Sequence, residues 1–308
     1  KTAFVGTALD RECAQLARTD AGNVQRMLAR FGDEIRYITD TGSWLTWDNN
    51  KWVTADDNRI LYIASETTRL IYNEVEYFPH KLDRERHDRF ADASNNVARI
   101  TALIKLVKAV PSIQIKLADI DGNDSLLATK NGYLINLHSN QVRPLLKSDL
   151  ITKVVNADYN ESAVSESWEK LVNTVFDGDC DVIDYFQTLA GYSVTGLTNE
   201  ELMIVLHGDG SNGKSTIQDT LKHIMGDYSA ALESESILRQ KHARHSSEIA
   251  VLAGKRFVTT AELGVGRQLN EERIKTLTSG DPIQVRYMCR NPFDMQSKLK
   301  LWVSTNNL

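Results

Sequence analysis

The chain has 308 residues, of which 42% are apolar and 25% charged, with a net charge of −5; this is the composition of an ordinary globular protein long enough for two domains. No apolar run approaches the roughly 20 residues needed to cross a bilayer, and the opening "KTAFVGTALDREC" lacks the apolar core of a secretory leader. Cys13, Cys180 and Cys289 lie far apart without metal-ligand spacing, which reads as reduced thiols in a cytoplasmic protein.

The chain begins with Lys1 rather than Met, so it reads as part of something larger. Charge is uneven along it. Leu238–Leu308 carries 12 Lys and Arg against 6 Asp and Glu, a local +6, which leaves −11 for the remainder. A basic end on an acidic body suggests that a polyanion is met on one face.

Residues 7–31 read as a helical pattern, with Leu9, Cys13, Leu16, Val24, Met27, Leu28 and Phe31 at near-helical spacing. "RYITDTGSWLTWDNNKWV" alternates around turn signals and predicts a small antiparallel sheet. Its Trp44, Trp47 and Trp52 could stack on bases, but packing between hairpin and helix is the commoner use of clustered tryptophans. Amphipathic helices are expected over 59–77 and 95–110, with Pro111 as the breaker. "LLATKNGYLINLHSNQVRPL" has hairpin chemistry at "NG" and "SN". Helical patterns over 165–175 and 182–192 lead to "TGLTNEE", where strand and helix patterns begin to alternate. This change of texture sets the expected domains: 1–195, mainly α with small β-hairpins, and 196–308, an α/β core.

The stretch "VLHGDGSNGKSTIQDTL" fits G-x-x-x-x-G-K-[ST] at Gly208, Gly213, Lys214 and Ser215. A buried-strand pattern precedes it and a helical pattern follows. Glycines let successive backbone N–H groups turn inward as an anion nest, and the helix start adds the positive end of its dipole. The expected nucleotide cradle is Gly208, Asp209, Gly210, Ser211, Asn212, Gly213, Lys214, Ser215 and Thr216. Lys214 neutralises the β- and γ-phosphates, and the Ser215 hydroxyl ligates Mg²⁺.

Downstream, "KRFVTTAEL" is a β-branched run ending in Glu262, placed to hold Mg²⁺ through water and to orient an attacking water. "IQVRYMCRNPFDM" predicts a hairpin bearing Arg286 and Arg290, and "LKLWVST" a strand ending at Asn306. His242 and His245, in "QKHARHSSE", have no Cys or carboxylate partner with metal-ligand spacing and read as a surface loop.

The ordered set "GDGSNGKST", "AEL", "KTLTSGD" and "LWVSTNN" resembles the superfamily 3 helicases, in particular the primase-helicase proteins of phages, plasmids and large DNA viruses. "TDAGNVQRMLARFGDEIRY", "TKNGYLINL", "LITKVVNADY" and "LAGYSVTGLTNEE" resemble the domain that precedes the helicase core in those proteins. The resemblance implies an AAA+-type P-loop ATPase core that uses ATP and Mg²⁺. It implies a ring, usually a hexamer, that translocates on single-stranded or forked DNA in replication and works beside primase or initiation proteins. By matching motif, Lys214, Glu262 and Asn306 are the catalytic set, with Asn306 the polar group that positions water near the γ-phosphate. Ser215 and Glu262 serve the metal. Lys275 to Asp281 match the motif leading into a channel hairpin, which makes Lys275, Arg286 and Arg290 the DNA-contact candidates; Lys275 could instead face a subunit interface.

Two departures stand out. Ala261 precedes Glu262 where many such ATPases carry a second acid, and the family's arginine finger normally lies beyond Leu308. The missing finger and the bulky helical N-terminal region motivate a second reading: a nucleotide-gated DNA-binding or loading module that does not itself unwind.

Overall fold

The computed structural model describes residues 6–210, 212–239, 247–260, 267–286 and 292–306, organised as two compact units, Lys1–Asp119 and Ile120–Leu308. In the first unit, α1 (Ala8–Ala14) starts at Thr7. The Thr7 hydroxyl accepts from the Asp10 amide, and the Asp10 carboxylate accepts the Thr7 N–H at 2.9 Å, so two orphan donors of the helix start are satisfied reciprocally.

The helical pattern of residues 7–31 is two helices rather than one. The second, α2 (Asp20–Phe31), starts afresh at Thr19, whose hydroxyl accepts from Gly22 N. The chain folds back there because a buried arginine replaces the missing helix bonds. Arg26 donates to the carbonyls of Ala17 at 2.9 Å, Cys13 at 3.1 Å and Leu16 at 3.2 Å, the acceptors freed where α1 ends. Gly22 is required at this corner, since any Cβ would collide with the Ala17 carbonyl.

The same guanidinium ends on Glu74. Arg26 Nε lies 3.0 Å from both Glu74 carboxylate oxygens, and Arg30 bridges Glu74 at 3.3 Å to Asp10 at 2.8 Å. Burial alone would raise the Asp10 carboxyl, but hydrogen bonds from Thr7 and Arg30 and the guanidinium's charge hold it below its ordinary value. His87 completes the group. Arg18 can only donate, and its Nε is 3.2 Å from His87 Nδ1, so that nitrogen accepts; His87 Nε2 stands 3.2 Å from a Glu74 oxygen without hydrogen-bond geometry.

Around this charged centre, β1 (Ile35–Ile38), β2 (Ser43–Asp48) and β3 (Lys51–Ala55) form the expected antiparallel sheet, with Asn49 in the left-handed conformation at the β2–β3 turn. A short β4 (Gln114–Ile115) adds to β1 in parallel. Trp44 and Trp52 are buried, and Trp47 meets Trp52 edge-on at 5.5 Å, so these tryptophans pack the core. The helices α3 (Asp57–Arg69), α4 (Lys81–Ser94) and α5 (Val97–Val107) close the unit, with Ile60, Ile63, Ile100, Leu103 and Val107 buried together against Met27, Ile35 and Trp44.

The second unit opens with an antiparallel meander, β5 (Leu126–Ala128), β6 (Tyr133–Asn136) and β7 (Gln141–Pro144), then α6 (Glu166–Val175) and α7 (Cys180–Val194). Strand β8 (Met203–His207) leads to α8 (Lys214–Met225), then β9 (Ser229–Leu232), a short α9 (Ser247–Ala250), β10 (Phe257–Thr260) and α10 (Glu271–Thr278). The hairpin β11 (Pro282–Val285) and β12 (Phe293–Gln296) precedes β13 (Lys300–Thr305). Strands β8, β13, β10 and β9, in that spatial order, pair only in parallel. Both central strands are buried on both faces, as a parallel sheet covered on both sides requires.

Alternate residues sort to opposite faces. Val258, Leu301 and Val303 pack with Leu277, Val285 and Met295, whereas Phe257, Trp302 and Ile204 pack under α8 with Leu127, Val155, Val172 and Phe186. Residues 120–194 therefore supply part of the core beneath the α8 face. The strap around Val154–Asn156 is bonded to both sides: Val155 N donates to Ala128 O at 2.9 Å, and Asn156 N donates to Ile224 O at 2.8 Å at the C-terminal end of α8.

Two buried cations fasten the segment between α7 and β8. Arg256 donates to Val194 O and Leu126 O, both at 2.8 Å, and lies over the Tyr228 ring at 4.4 Å. The Lys300 amine reaches the carbonyls of Thr195, Leu197 and Lys298. Burial and the neighbouring Arg256 charge push Lys300 down to about 7.

Two predictions follow from these buried charges. Glu74→Gln removes the counter-charge from two buried guanidinia and should destabilise the chain by about 3–5 kcal/mol in denaturant titration. For Lys300 the folded state sheds its proton near pH 7 while the unfolded chain keeps it to about 10.5. Stability should therefore rise as pH increases from 7 to 9, on the order of 1–3 kcal/mol. Lys300→Met should lack that increment when unfolding of the two proteins is compared at both pH values.

Candidate nucleotide site

The motif Gly208–Ser215 occupies the turn between the end of β8 and the start of α8. The strand is the edge of its sheet, so the run expected to be buried is covered fully only at Ile204 while Val205 is exposed; the loop is glycine-rich because it turns sharply, and the helix starts at Lys214 with Gly213 as its cap. Gly213 has φ +82°, and a Cβ there would stand 2.5 Å from the Val175 methyl of α6. Conformation and packing thus both require glycine, and the C-terminal end of α6 rests directly on the loop.

Lys214 turns its ammonium back into the loop. It donates to Gly208 O, to Asp209 O at 3.0 Å and to Asn212 Oδ1 at 2.9 Å. It also donates to Asn306 Oδ1 at 3.0 Å, a residue 92 positions away in sequence. The sheet order explains that meeting. Strand β13 lies between β8 and β10, with Ser304 opposite Leu206 and Thr305 opposite His207. Asn306, one residue further on, emerges beside the loop that follows β8.

A second contact ties the same parts together. Gln218, one turn beyond Lys214 on α8, donates to Trp302 O at 3.1 Å and accepts from Ser304 Oγ at 2.8 Å. Sequence reasoning passed over Gln218; its only signal is the four-residue step from Lys214 that puts it on the sheet-facing side. Ser215 and Thr216, in the first turn of α8, are exposed, as are Asp209, Gly210 and Asn212.

Ser211, Glu262 and Arg290, together with His242, His245 and Cys289, lie outside the described residues. Of the acidic strand, β10 is described to Thr260, whose register with Val303 sets it next to β13. Arg286 is exposed just past the end of β11. Lys275 is exposed on α10 and, with Arg239, Asn270 and Asp281, lines a cleft of about 720 Å³. The loop residues and Asn306 are thus brought into one cluster, and Arg286 and Lys275 lie on separate elements of the same unit. Among the described residues there is no cluster of three or more His, Cys, Asp or Glu that could hold a metal, and no helix is long and apolar enough to cross a membrane.

Comparison with known proteins agrees with this layout. Residues 206–308 match a family of unknown function, DUF5906. The chain is 24% identical over 288 residues to a protein of Acanthamoeba polyphaga mimivirus named "Putative helicase L207/L206", and 26% identical over 175 residues to "Putative helicase 121R" of Invertebrate iridescent virus 3. These alignments take in 87% and 54% of this chain, but only 30% and 18% of those longer proteins. In fold, the chain is similar to apo structures of the NrS-1 C-terminal region, with TM-scores of 0.54 and 0.53 at 11% identity, covering 92% of this chain and 57% of that one. The match that spans half of the chain, residues 24–177, is to the family described as D5 N terminal like. The chain belongs to that family, and with it to the primase-helicase proteins that its motifs resemble.

Proposed function

We propose that the Ile120–Leu308 unit is an ATP-dependent motor of the AAA+ type, working with Mg²⁺ in a ring of copies that moves along single-stranded DNA and unwinds duplex during replication. The observation that supports this most directly is the convergence of Lys214 and Asn306 at the tips of adjacent parallel strands. A lysine in a glycine loop at a helix start, facing a polar amide from the neighbouring strand, suits capture of a polyphosphate with a water held at its end.

The residues present fit such a ligand. The loop precedes a twelve-residue helix whose Ser215 and Thr216 are exposed, and the lysine's ammonium lies inside the curl of its own loop. Magnesium triphosphate, when bound, supplies the phosphoryl bond whose cleavage drives movement. Lys214 would exchange loop carbonyls for phosphate oxygens, so that its charge meets an opposite charge rather than neutral dipoles. Ser215 would present its hydroxyl to the metal, Asn306 would orient the attacking water, and Glu262, just past β10, would accept that water's proton.

Arg286, just past the end of β11, would grip DNA phosphates without reading bases, and Arg290, outside the described residues, is the second candidate for that grip. Lys275 and Arg239 share a cleft with Asp281, a mixed-charge surface suited to meeting a neighbouring copy in the ring.

Lys214→Ala should abolish ATP binding and lower DNA-stimulated hydrolysis by about 10²-fold or more, as loss of a positioned charge at a reacting phosphate does. Hydrolysis at the wild-type rate would remove the site from consideration. For the hairpin, Arg286→Ala should weaken single-strand binding equally for all sequences and reduce the slope of log affinity against log salt by about one. An unchanged slope would move the DNA contact elsewhere.

A further inference from the structure

The loop that is to hold phosphate is filled by its own side chains. An ammonium has three N–H donors, and four oxygens already surround that of Lys214: Gly208 O, Asp209 O, Asn212 Oδ1 and Asn306 Oδ1. No donor is left over for a ligand. Asn212 folds over Gly208 so closely that any Cβ at position 208 would strike its amide nitrogen, which puts that side chain across the hollow of the loop.

Three of these acceptors belong to the loop and can shift with it. The fourth does not. Asn306 stands at the end of a strand held on both sides by parallel pairing, and that strand is tied to α8 through Gln218. It is the anchor of the closed arrangement.

We propose that Asn306 acts as a latch on the empty loop: its amide oxygen holds the Lys214 ammonium inward, nucleotide enters by exchange for that contact, and the latch thereby limits affinity for nucleotide. This inference rests on the assignment of the loop as a nucleotide site. It adds a second task for Asn306, opposite in sign to water positioning, because a residue that only orients water at the terminal phosphate has no influence on a diphosphate.

ADP is therefore the discriminating probe. The affinity of the full chain for Mg-ADP is measured by calorimetry for wild type, Asn306→Ala and Lys214→Ala, with the melting temperature recorded for each. One hydrogen bond from an ammonium, released from competition, corresponds to a gain of about tenfold in ADP affinity for Asn306→Ala. Asn306→Ser, whose hydroxyl is too short to reach the ammonium, should show the same gain and replaces the alanine variant if the latter does not fold. Tighter ADP binding with Lys214→Ala inert supports the latch. Unchanged or weaker ADP binding in the Asn306 variants, with Lys214→Ala inert, overturns the latch and leaves the nucleotide site standing. Wild-type ADP binding by Lys214→Ala overturns both.

Discussion

The position of β13 between β8 and β10 is the constraint on which the candidate site depends. Had the chain paired β8 directly with β10, Asn306 would emerge at a sheet edge and the Lys214 ammonium would face no partner from beyond its own loop. Parallel pairing on both sides of β13 fixes its register, and register fixes which residue emerges level with the glycine-rich loop after β8. The inserted strand is buried at every position but Ser304, so the position of Asn306 depends on the packing of Leu301, Trp302 and Val303.

Both units are built around charge that water cannot reach. In the first, Glu74 serves two guanidinia and a histidine, and Arg26 uses its remaining donors to close the corner between α1 and α2. In the second, Arg256 and Lys300 donate to main-chain carbonyls at the end of α7 and in the segment that follows it, and also to Leu126 O of β5 and Lys298 O before β13. Burying such groups is unfavourable unless their donors are met, and most of the carbonyls they reach lie where a helix ends or in the segment after it, at Cys13, Leu16, Ala17, Val194, Thr195 and Leu197. Charge here substitutes for secondary structure at the places where the chain must change direction.

The helical and strand patterns were legible where apolar spacing was regular: β10, the hairpin β11–β12, α6 and α8 lie within a residue or two of their expected limits. Helix α4 escaped notice because "KLDRERHDRFADAS" is dense in charge, and its inward face is carried by His87, Phe90, Ala91 and Ser94 rather than by an aliphatic stripe. The break between α1 and α2 was hidden for the opposite reason, since apolar residues continue at helical spacing across a corner made by Gly22 and Arg26. The change of texture near residue 196 and the division of the compact units at Asp119 are different features: one is a change in local pattern, the other depends on Leu127, Val155, Val172 and Phe186 filling space beneath a sheet that comes later in the chain.

The sequence by itself determined the setting of the loop between a strand and a helix start, because glycine, lysine and hydroxyl in that spacing answer to that local geometry. It also determined the family, because several such local signatures occur in one order. Only the tertiary structure decided that Asn306 meets Lys214, that Gln218 ties the helix to the neighbouring strand, and that Val175 rests on Gly213. These are contacts between segments dozens of residues apart, set by strand order and core packing, and no local spacing in the chain encodes them.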